Sequence, residues 1–226
     1  MKLFIENINK RTIIITEEQS NNASIFDFAN DLNNIKTFKA KKEYCFSHFG
    51  KPIGSGTTRY VFLLNDNFVL KLARNKKGLW QNSAESDSEL EKYKIFPKVY
   101  NKTDDNSYII SERVLKAKTE DFKECLGITF NDYCKFTTNC FLDTMDEEKK
   151  NRMIKYFSDY MLDDDYYKKL LSNEWFRNVR QFIIDFEMPL EDLQRVVNYG
   201  LTERYGKPMI VILDSGVNNT IWDKIY

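Results

Sequence analysis

The chain has 226 residues, of which 42% are hydrophobic, and this is enough to bury a core in one large domain or two small lobes. The charge is balanced at 34 basic and 34 acidic residues. This balance argues against nucleic acid as a partner, because nucleic-acid-binding proteins usually carry a basic excess. There is no secretory signal and no long apolar run, so we expect a cytoplasmic protein without a membrane partner.

Residues 1–48 are predicted to form an N-terminal extension of strand and helix. A β-branched run at residues 13–15 predicts one or two short strands within residues 1–15. Apolar residues then recur at helical spacing, which predicts a helix over residues 21–38.

Residues 49–115 are predicted to form a mostly antiparallel sheet with one helix. Glycines open the first strand, and a tight polar turn joins it to the second. An acidic helical pattern over residues 79–93 predicts a helix between the second and third strands. The predicted strands cover residues 60–64, 68–73, 96–100 and 108–112.

Residues 116–226 are predicted to be rich in helix and to include a hairpin. Apolar residues spaced three and four apart predict helices over residues 147–162 and 166–186. The hairpin strands are predicted at residues 199–201 and 209–213, and the second is fully apolar, as expected of a buried strand.

The four cysteines and the single histidine restrict the possible chemistry. The cysteines, Cys45, Cys125, Cys134 and Cys140, form no CxxC pair, so we expect reduced and mostly buried thiols without a zinc site. His48 follows an aromatic residue by two positions and precedes another. We expect it to be packed or at the surface rather than catalytic.

Residues suited to binding a phosphate group occur along the predicted sheet. Gly54 and Gly56 open a strand, and only glycine lets backbone amides come close to phosphate oxygens. Lys71 lies within an apolar strand, where a buried ammonium needs an anion. Glu85, on the predicted helix that follows, can supply that carboxylate.

Two further polar residues, Asn198 and Asp214, are predicted to lie on the two strands of this hairpin. Both have short side chains with an oxygen ligand, the type that suits a hard divalent cation bridging phosphates. The sequence therefore predicts one gap in which Lys71 and Asp214 face each other.

Taken in chain order, these segments resemble the motifs of protein kinases. The resemblance covers residues 50–115 and 188–226, and the helices between them match in character alone. A narrower likeness, in KLARNKKG with QNSAE and in the chain ending, is to kinase-like proteins of bacteriophages. The matching segments are GSGTTRYVF at 54–62 (glycine-rich loop), VLK at 69–71 (lysine motif), Glu85 (helix glutamate), SERV at 111–114 (hinge), NYG at 198–200 and DSG at 214–216 (metal segment).

The resemblance implies an α+β, two-lobed protein-kinase-like fold that uses ATP and Mg²⁺. It implies a β-rich N-lobe at residues 49–115 and a reduced helical C-lobe with a metal-binding hairpin at residues 116–226. The implied catalytic residues are Asp192, Lys71 and Glu85. The implied cofactor-binding residues are Gly54, Ser55, Gly56, Arg59, Lys71, Glu112 and Val114. The implied metal ligands are Asn198 and Asp214.

The sequence also departs from the kinase pattern. It contains no His-Arg-Asp catalytic loop, and the candidate base Asp192 lies six residues before Asn198, where typical kinases place the base five residues before. The alternative for Asp192 is that it caps, or faces solvent on, a short helix after Pro189. Asp-Ser-Gly replaces Asp-Phe-Gly, and ten residues follow Gly216, so we expect no activation loop and no peptide-substrate platform.

These features leave several functions open. The first is a kinase that transfers a phosphoryl group to an unknown protein or small-molecule hydroxyl. The second is a pseudokinase that acts as a phage-encoded or host-directed binding module in the host cytoplasm, with a host or phage protein as its partner. Nucleotidyl transfer and a nucleotide-free interaction protein are two further alternatives.

Overall fold

A computed structural model describes residues 28–204 and 206–213 of the chain. The strands predicted within residues 1–15, the first part of the helix predicted at residues 21–38, and Asp214 lie outside the described residues. Within the described residues, no helix is long and apolar enough to cross a membrane.

The first part of the described chain contains a five-stranded sheet together with the helices that flank it. In chain order its elements are α1 (residues 28–34), α2 (Phe38–Phe49), β1 (Gly54–Ser55), β2 (Arg59–Leu63), β3 (Phe68–Ala73), α3 (Lys76–Glu85), a short 3-10 helix (Ser88–Tyr93), β4 (Val99–Lys102) and β5 (Tyr108–Glu112). The five strands form one antiparallel sheet in the order β1-β2-β3-β5-β4.

The second part is mostly helical and ends in a small sheet. Its elements are β6 (Leu115–Lys116), α4 (Thr119–Leu126), α5 (Phe130–Leu142), α6 (Glu147–Phe157), a 3-10 turn (Ser158–Tyr160), α7 (Asp164–Leu170), α8 (Glu174–Phe186), α9 (Leu190–Leu193), a second 3-10 turn (Val196–Asn198), β7 (Tyr199–Arg204) and β8 (Lys207–Ile212). Strands β6, β7 and β8 pair antiparallel in that order. The predicted α+β class is confirmed.

The N-terminal helices cover one face of the five-stranded sheet. Leu70 and Leu72 of β3 are fully buried in a cluster with Ala29 and Leu32 of α1 and Cys45 of α2. Successive side chains of a strand point to opposite faces. The residue between the two leucines, Lys71, therefore points to the face away from α1 and α2.

A second hydrophobic cluster fills the helical part. Helix α8 supplies five of its buried side chains and α5 supplies three, and β8 contributes Ile210 and Ile212. The segment between the 3-10 helix and β4 also enters this cluster through Ile95 and Phe96. The Ile212 N–H donates to the Ile95 carbonyl at 2.8 Å, so β8 lies directly against the segment that leads into β4.

All four predicted helices are shorter or more broken than their apolar spacing suggested. In the helix predicted over residues 21–38, the described helical residues end at 34, and a new helix begins at Phe38 with Thr37 as its N-cap. The helix predicted over residues 79–93 is α3 followed by a 3-10 helix, because the Asp87 side chain caps a new start by accepting from the Glu89 N–H. The helix predicted over residues 166–186 is α7 and α8, and Asn173 caps α8 in the same way. The helix predicted over residues 147–162 ends at Phe157. Asp and Asn side chains compete with the helical backbone for N–H groups, and apolar spacing does not report this competition.

Candidate functional site

Strand β3 and helix α3 bring Lys71 and Glu85 together. The Lys71 ammonium lies 2.5 Å from Glu85 Oε2. The Lys71 side chain is 13% exposed and the Glu85 side chain is 7% exposed. Both charges are largely out of water, so the pair depends on its own contacts for compensation.

The charges around Glu85 keep its carboxylate ionised despite burial. Burial by itself would raise the pKa of Glu85. The positive charges of Lys71 and Arg59 outweigh this effect and lower the pKa to about 2. The carboxylate therefore stays charged throughout the physiological range of pH.

Arg59, the first residue of β2, also contacts Glu85. Its Nη2 lies 2.6 Å from Glu85 Oε1, although no N–H among the described residues points at that oxygen in hydrogen-bonding geometry. Arg59 Nη1 donates to Asn82 Oδ1 at 3.3 Å. The buried amide of Asn82 in turn donates to the carbonyls of Lys71 and Asn106. Sequence reasoning missed Asn82, although it lies one helical turn before Glu85.

The glycine-rich segment forms a tight hairpin between β1 and β2. The Gly56 N–H donates to the Arg59 carbonyl at 3.0 Å, which closes a two-residue turn at Thr57 and Thr58. Neither Gly54 nor Gly56 has a positive φ, and a Cβ added at Gly56 would meet no atom within 4 Å. The backbone alone therefore does not explain glycine at position 56.

This hairpin is fastened to the connection between β3 and α3. Arg74 Nη1 donates to the Gly56 carbonyl, Asn75 Nδ2 to the Thr57 carbonyl and the Arg74 N–H to the Thr58 carbonyl. The C=O and N–H of a trans peptide unit point in opposite directions. The amides of Thr57 and Thr58 are therefore directed away from Arg74 and Asn75.

The side chain of Glu112, at the end of β5, contacts β7 of the three-stranded sheet. Its carboxylate accepts from Arg204 Nη2 at 2.5 Å and from the Thr202 hydroxyl at 2.6 Å, and its N–H donates to the Lys98 carbonyl. An adenine contact at Glu112 would consequently have to use its carbonyl. The side chain of Val114 lies against Gly200, where an added Cβ would come within 2.9 Å of it.

Asn198 and Asp192 lie close together, and Asn198 lies in a different element from the one predicted. Asn198 ends a 3-10 turn just before β7 rather than lying in a strand as predicted. Its Nδ2 donates to the Asp192 carbonyl at 2.8 Å, and its own carbonyl accepts from the Leu213 N–H at 2.8 Å. Asp192 is half-buried on α9, whose N-cap is Pro189. Asp192 therefore does not cap this helix, but it does lie on a short helix after Pro189.

A small cavity lies between the Lys71–Glu85 pair and the end of the second sheet. Its volume is about 10 Å³, roughly the space that one water molecule requires. The Ser111 hydroxyl is buried and has no hydrogen-bond partner among the described residues. The cavity is lined by Lys71, Glu85, Phe96, Pro97, Val99, Ser111, Ile212 and Leu213. The five-stranded sheet thus meets β8 and the residue after it in this cavity, where Lys71 and Leu213 both line the wall. Leu213 immediately precedes Asp214.

Residues 28–204 and 206–213 contain no group of three or more His, Cys, Asp or Glu side chains placed to hold a metal ion. The Asn198 amide nitrogen donates to the Asp192 carbonyl, and Oδ1 is the atom of this amide that could bind a cation. Mg²⁺ is commonly held by one or two protein oxygens together with phosphates and water. An amide oxygen at this position fits such a site, and the second predicted ligand, Asp214, lies outside the described residues.

The contacts described above use neither a cysteine side chain nor His48. Cys45 and Cys140 are buried and Cys125 and Cys134 are partly exposed. Burial raises the pKa of Cys45 and of Cys140 to about 12, so neither is a ready nucleophile. His48 is exposed, with its ring 4.0 Å from the ring of Tyr44.

Comparison with known proteins gives little further guidance. No protein-family model matches the chain, and no curated protein matches it. A solved structure that does match is described as the ternary complex of streptomycin, ATP and APH(2")-IIa, with 12% sequence identity and a TM-score of 0.32. The match covers 80% of this chain and 71% of that chain. At this TM-score the likeness carries no argument about the fold or the function of the chain.

Proposed function

We propose that the chain has a kinase-like arrangement of two lobes, binds ATP with a divalent cation between them, and transfers the terminal phosphoryl group to a hydroxyl acceptor. The observation that carries this proposal is the buried Lys71–Glu85 pair, which shares a cavity with Leu213 at the end of β8. A cation on the sheet and an oxygen ligand one residue beyond Leu213 would then border the same gap. Phosphoryl transfer depends mainly on positioning and on neutralising charge.

In this proposal the nucleotide lies beneath the hairpin at Gly54, Ser55 and Gly56. The open space around Gly56 and the direction of the Thr57 and Thr58 amides support an approach of phosphate oxygens. The adenine would lie against the backbone from Glu112 to Val114. The tight contact between Val114 and Gly200 would form the floor beneath it.

Two residues would act on the reacting groups, and a third would position one of them. Lys71, positioned by Glu85, would contact the phosphates. Asp192 would orient the acceptor hydroxyl and take its proton while the acceptor oxygen bonds to the terminal phosphorus and the bond to the bridging oxygen breaks.

The divalent cation would be held by Asn198 Oδ1 and Asp214. When bound, it would neutralise negative charge on the phosphates. The hydrogen bond from Asn198 Nδ2 to the Asp192 carbonyl supports this role, because it fixes the amide and couples the proposed ligand to the backbone of the proposed base.

A pseudokinase that binds a host or phage protein is the second candidate. It is favoured by the size of the cavity beside Lys71, about 10 Å³, against roughly 300–1,000 Å³ for an ordinary ligand pocket. In the kinase proposal, the nucleotide must therefore lie in front of this cavity and not in it.

The test combines ATP binding with ATP turnover. We expect ATP and Mg²⁺ to raise the Tm of the wild-type chain, because a ligand of the folded state stabilises it by mass action. Lys71→Ala should lose the rise, whereas Lys155→Ala, which removes an exposed lysine of α6, should keep it. Unchanged ATP affinity and turnover in Lys71→Ala would show that Lys71 has been misplaced.

Labelled ATP then separates the remaining alternatives. Transfer of label from the γ-phosphate indicates a kinase, and transfer from the α-phosphate indicates nucleotidyl transfer. Binding without any transfer favours the pseudokinase. A wild-type chain with neither binding nor transfer would be a nucleotide-free interaction protein.

A further inference from the structure

Glu85 is shared by two cations that come from different strands. Lys71 of β3 contacts Oε2, and Arg59 of β2 contacts Oε1. The Arg59 side chain is 15% exposed, and Asn82 holds its second terminal nitrogen. The guanidinium is thus enclosed between strand and helix, and it faces Glu85.

The three side chains together carry one net positive charge. A lysine paired with a glutamate alone would carry none, and Arg59 supplies the difference. Lys71 and Glu85 are the ionisable residues among those that line the adjoining cavity, so no described acidic residue on its wall other than Glu85, whose charge is already counted, offsets this surplus. In a poorly hydrated site an uncancelled charge acts over several ångströms.

We infer that Arg59 is a positioning residue that gives the site its affinity for polyphosphate without touching the ligand. By occupying Oε1, it shares the negative charge of Glu85 and leaves the Lys71 ammonium incompletely neutralised. This inference rests on the proposed function. It changes the role that the sequence predicted for Arg59, from direct contact with the nucleotide to action through Glu85.

A purely mechanical role for Arg59 predicts a different outcome. Arg59 begins β2 directly after the glycine-rich hairpin, so it could simply hold that hairpin against α3. Loss of such an anchor would impair every ligand that lies beneath the hairpin, charged or not. Loss of charge would impair only the anionic part of the ligand.

The experiment compares inorganic tripolyphosphate with adenosine as probes, using calorimetry on the full chain. We expect Arg59→Met to weaken tripolyphosphate binding about tenfold, as loss of one nearby charge would, and to leave adenosine binding unchanged. Arg59→Lys keeps a positive charge beside Glu85, so its tripolyphosphate affinity should stay within about threefold of wild type. The matched control is Arg152→Met, which removes an exposed arginine 70% open to solvent and should change neither probe.

A double variant decides between charge and anchoring. Arg59→Met with Glu85→Gln restores the single net positive charge while leaving the hairpin contact broken. We expect it to bind tripolyphosphate more tightly than Arg59→Met does, while the loss of the Glu85 carboxylate beside Lys71 keeps it below wild type. No recovery, or equal losses for tripolyphosphate and adenosine in Arg59→Met, would overturn the inference while the proposed function stands. A wild-type chain that binds neither ATP nor tripolyphosphate would overturn both.

Discussion

Glu85 holds its charge because two cations outweigh the effect of burial. Its pKa falls from the ordinary 4.5 to about 2 in the folded chain. A group with a lowered pKa in the folded state stabilises that state above its unfolded pKa, and this stabilisation is lost as the pH falls through the folded value. The window is therefore from about pH 4.5 down to about pH 2.

This window gives a prediction for Glu85→Gln. The wild-type chain should exceed the variant in free energy of unfolding by on the order of 3 kcal/mol at neutral pH, because one pKa unit corresponds to about 1.4 kcal/mol. The difference should shrink between pH 4.5 and pH 2, as measured by denaturant unfolding. Glu148→Gln, at a glutamate 85% exposed, should show no such trend. If the difference in free energy of unfolding between wild type and Glu85→Gln does not change with pH, the pKa of Glu85 is not lowered by its two cations.

Gly56 lies in open space and has no positive φ. A methyl group at this position should therefore leave the stability of the chain unchanged. If phosphates approach the hairpin closely, as proposed, Gly56→Ala should weaken ATP binding while the Tm without ligand stays within about 1 °C of wild type. Equal ATP affinity in the variant would mean that the ligand stays away from the hairpin.

Helix α3 packs so closely on the glycine-rich hairpin that one of its positions requires glycine. A Cβ added at Gly78 would lie 2.3 Å from the Thr58 carbonyl oxygen and 3.0 Å from Ala73. Both obstacles belong to parts of the chain that are fixed by β2 and β3. The position is therefore closed to any side chain.

Gly78→Ala should consequently destabilise the chain, although the same substitution in an exposed helix usually stabilises by up to about 1 kcal/mol. We expect a loss of roughly 2 kcal/mol, typical of overpacking, in denaturant unfolding. Gly56→Ala serves as the control, because its added methyl group meets nothing. A stabilised Gly78→Ala would show that α3 and the hairpin are further apart than described.

The local sequence pattern could predict the strands and the position of Lys71 in β3. It could not predict the contacts that complete the site. The alternation of Leu70, Lys71 and Leu72 marks β3, and an acidic helix after it makes Glu85 a natural partner. The sequence predicted that Arg59 contacts the nucleotide. Its contact with Glu85 depends on how the hairpin folds over α3, and residue spacing does not encode this fold. The breaks before the 3-10 helix and before α8 depend on capping by Asp87 and Asn173, and this outcome is decided by hydrogen bonds rather than by apolar spacing.

The two sheets are joined by the buried ion pair of Glu112 and Arg204. Their side chains are 10% and 11% exposed, and Arg204 also donates to the carbonyls of Lys94 and Phe96. Burial would raise the pKa of Glu112, but its hydrogen bonds with Arg204 and Thr202 lower it overall. This ion pair ties the end of β5 to β7, and hence the five-stranded sheet to the helical part.

Arg204→Met should leave a buried carboxylate without its cation. Breaking one side of such a pair costs about 3–5 kcal/mol, so we expect a loss of that size in chemical unfolding. Arg113→Met removes a cation from an ion pair whose partner Asp66 is 99% exposed, and it should cost no more than about 1 kcal/mol. Adding Glu112→Gln to Arg204→Met should recover part of the loss, and no recovery would argue against charge as the cause.

Along β3, side chains alternate between the hydrophobic cluster on one face of the sheet and the proposed site on the other. A shift of β3 by one residue against β2 and β5 would turn Leu70 and Leu72 toward the gap and drive the Lys71 ammonium into the hydrocarbon beneath α1 and α2. Burying an unpaired charge there is so unfavourable that the shifted pairing would not persist. Lys71 therefore disfavours misaligned pairing of β3. The alignment that remains places its ammonium at the proposed site.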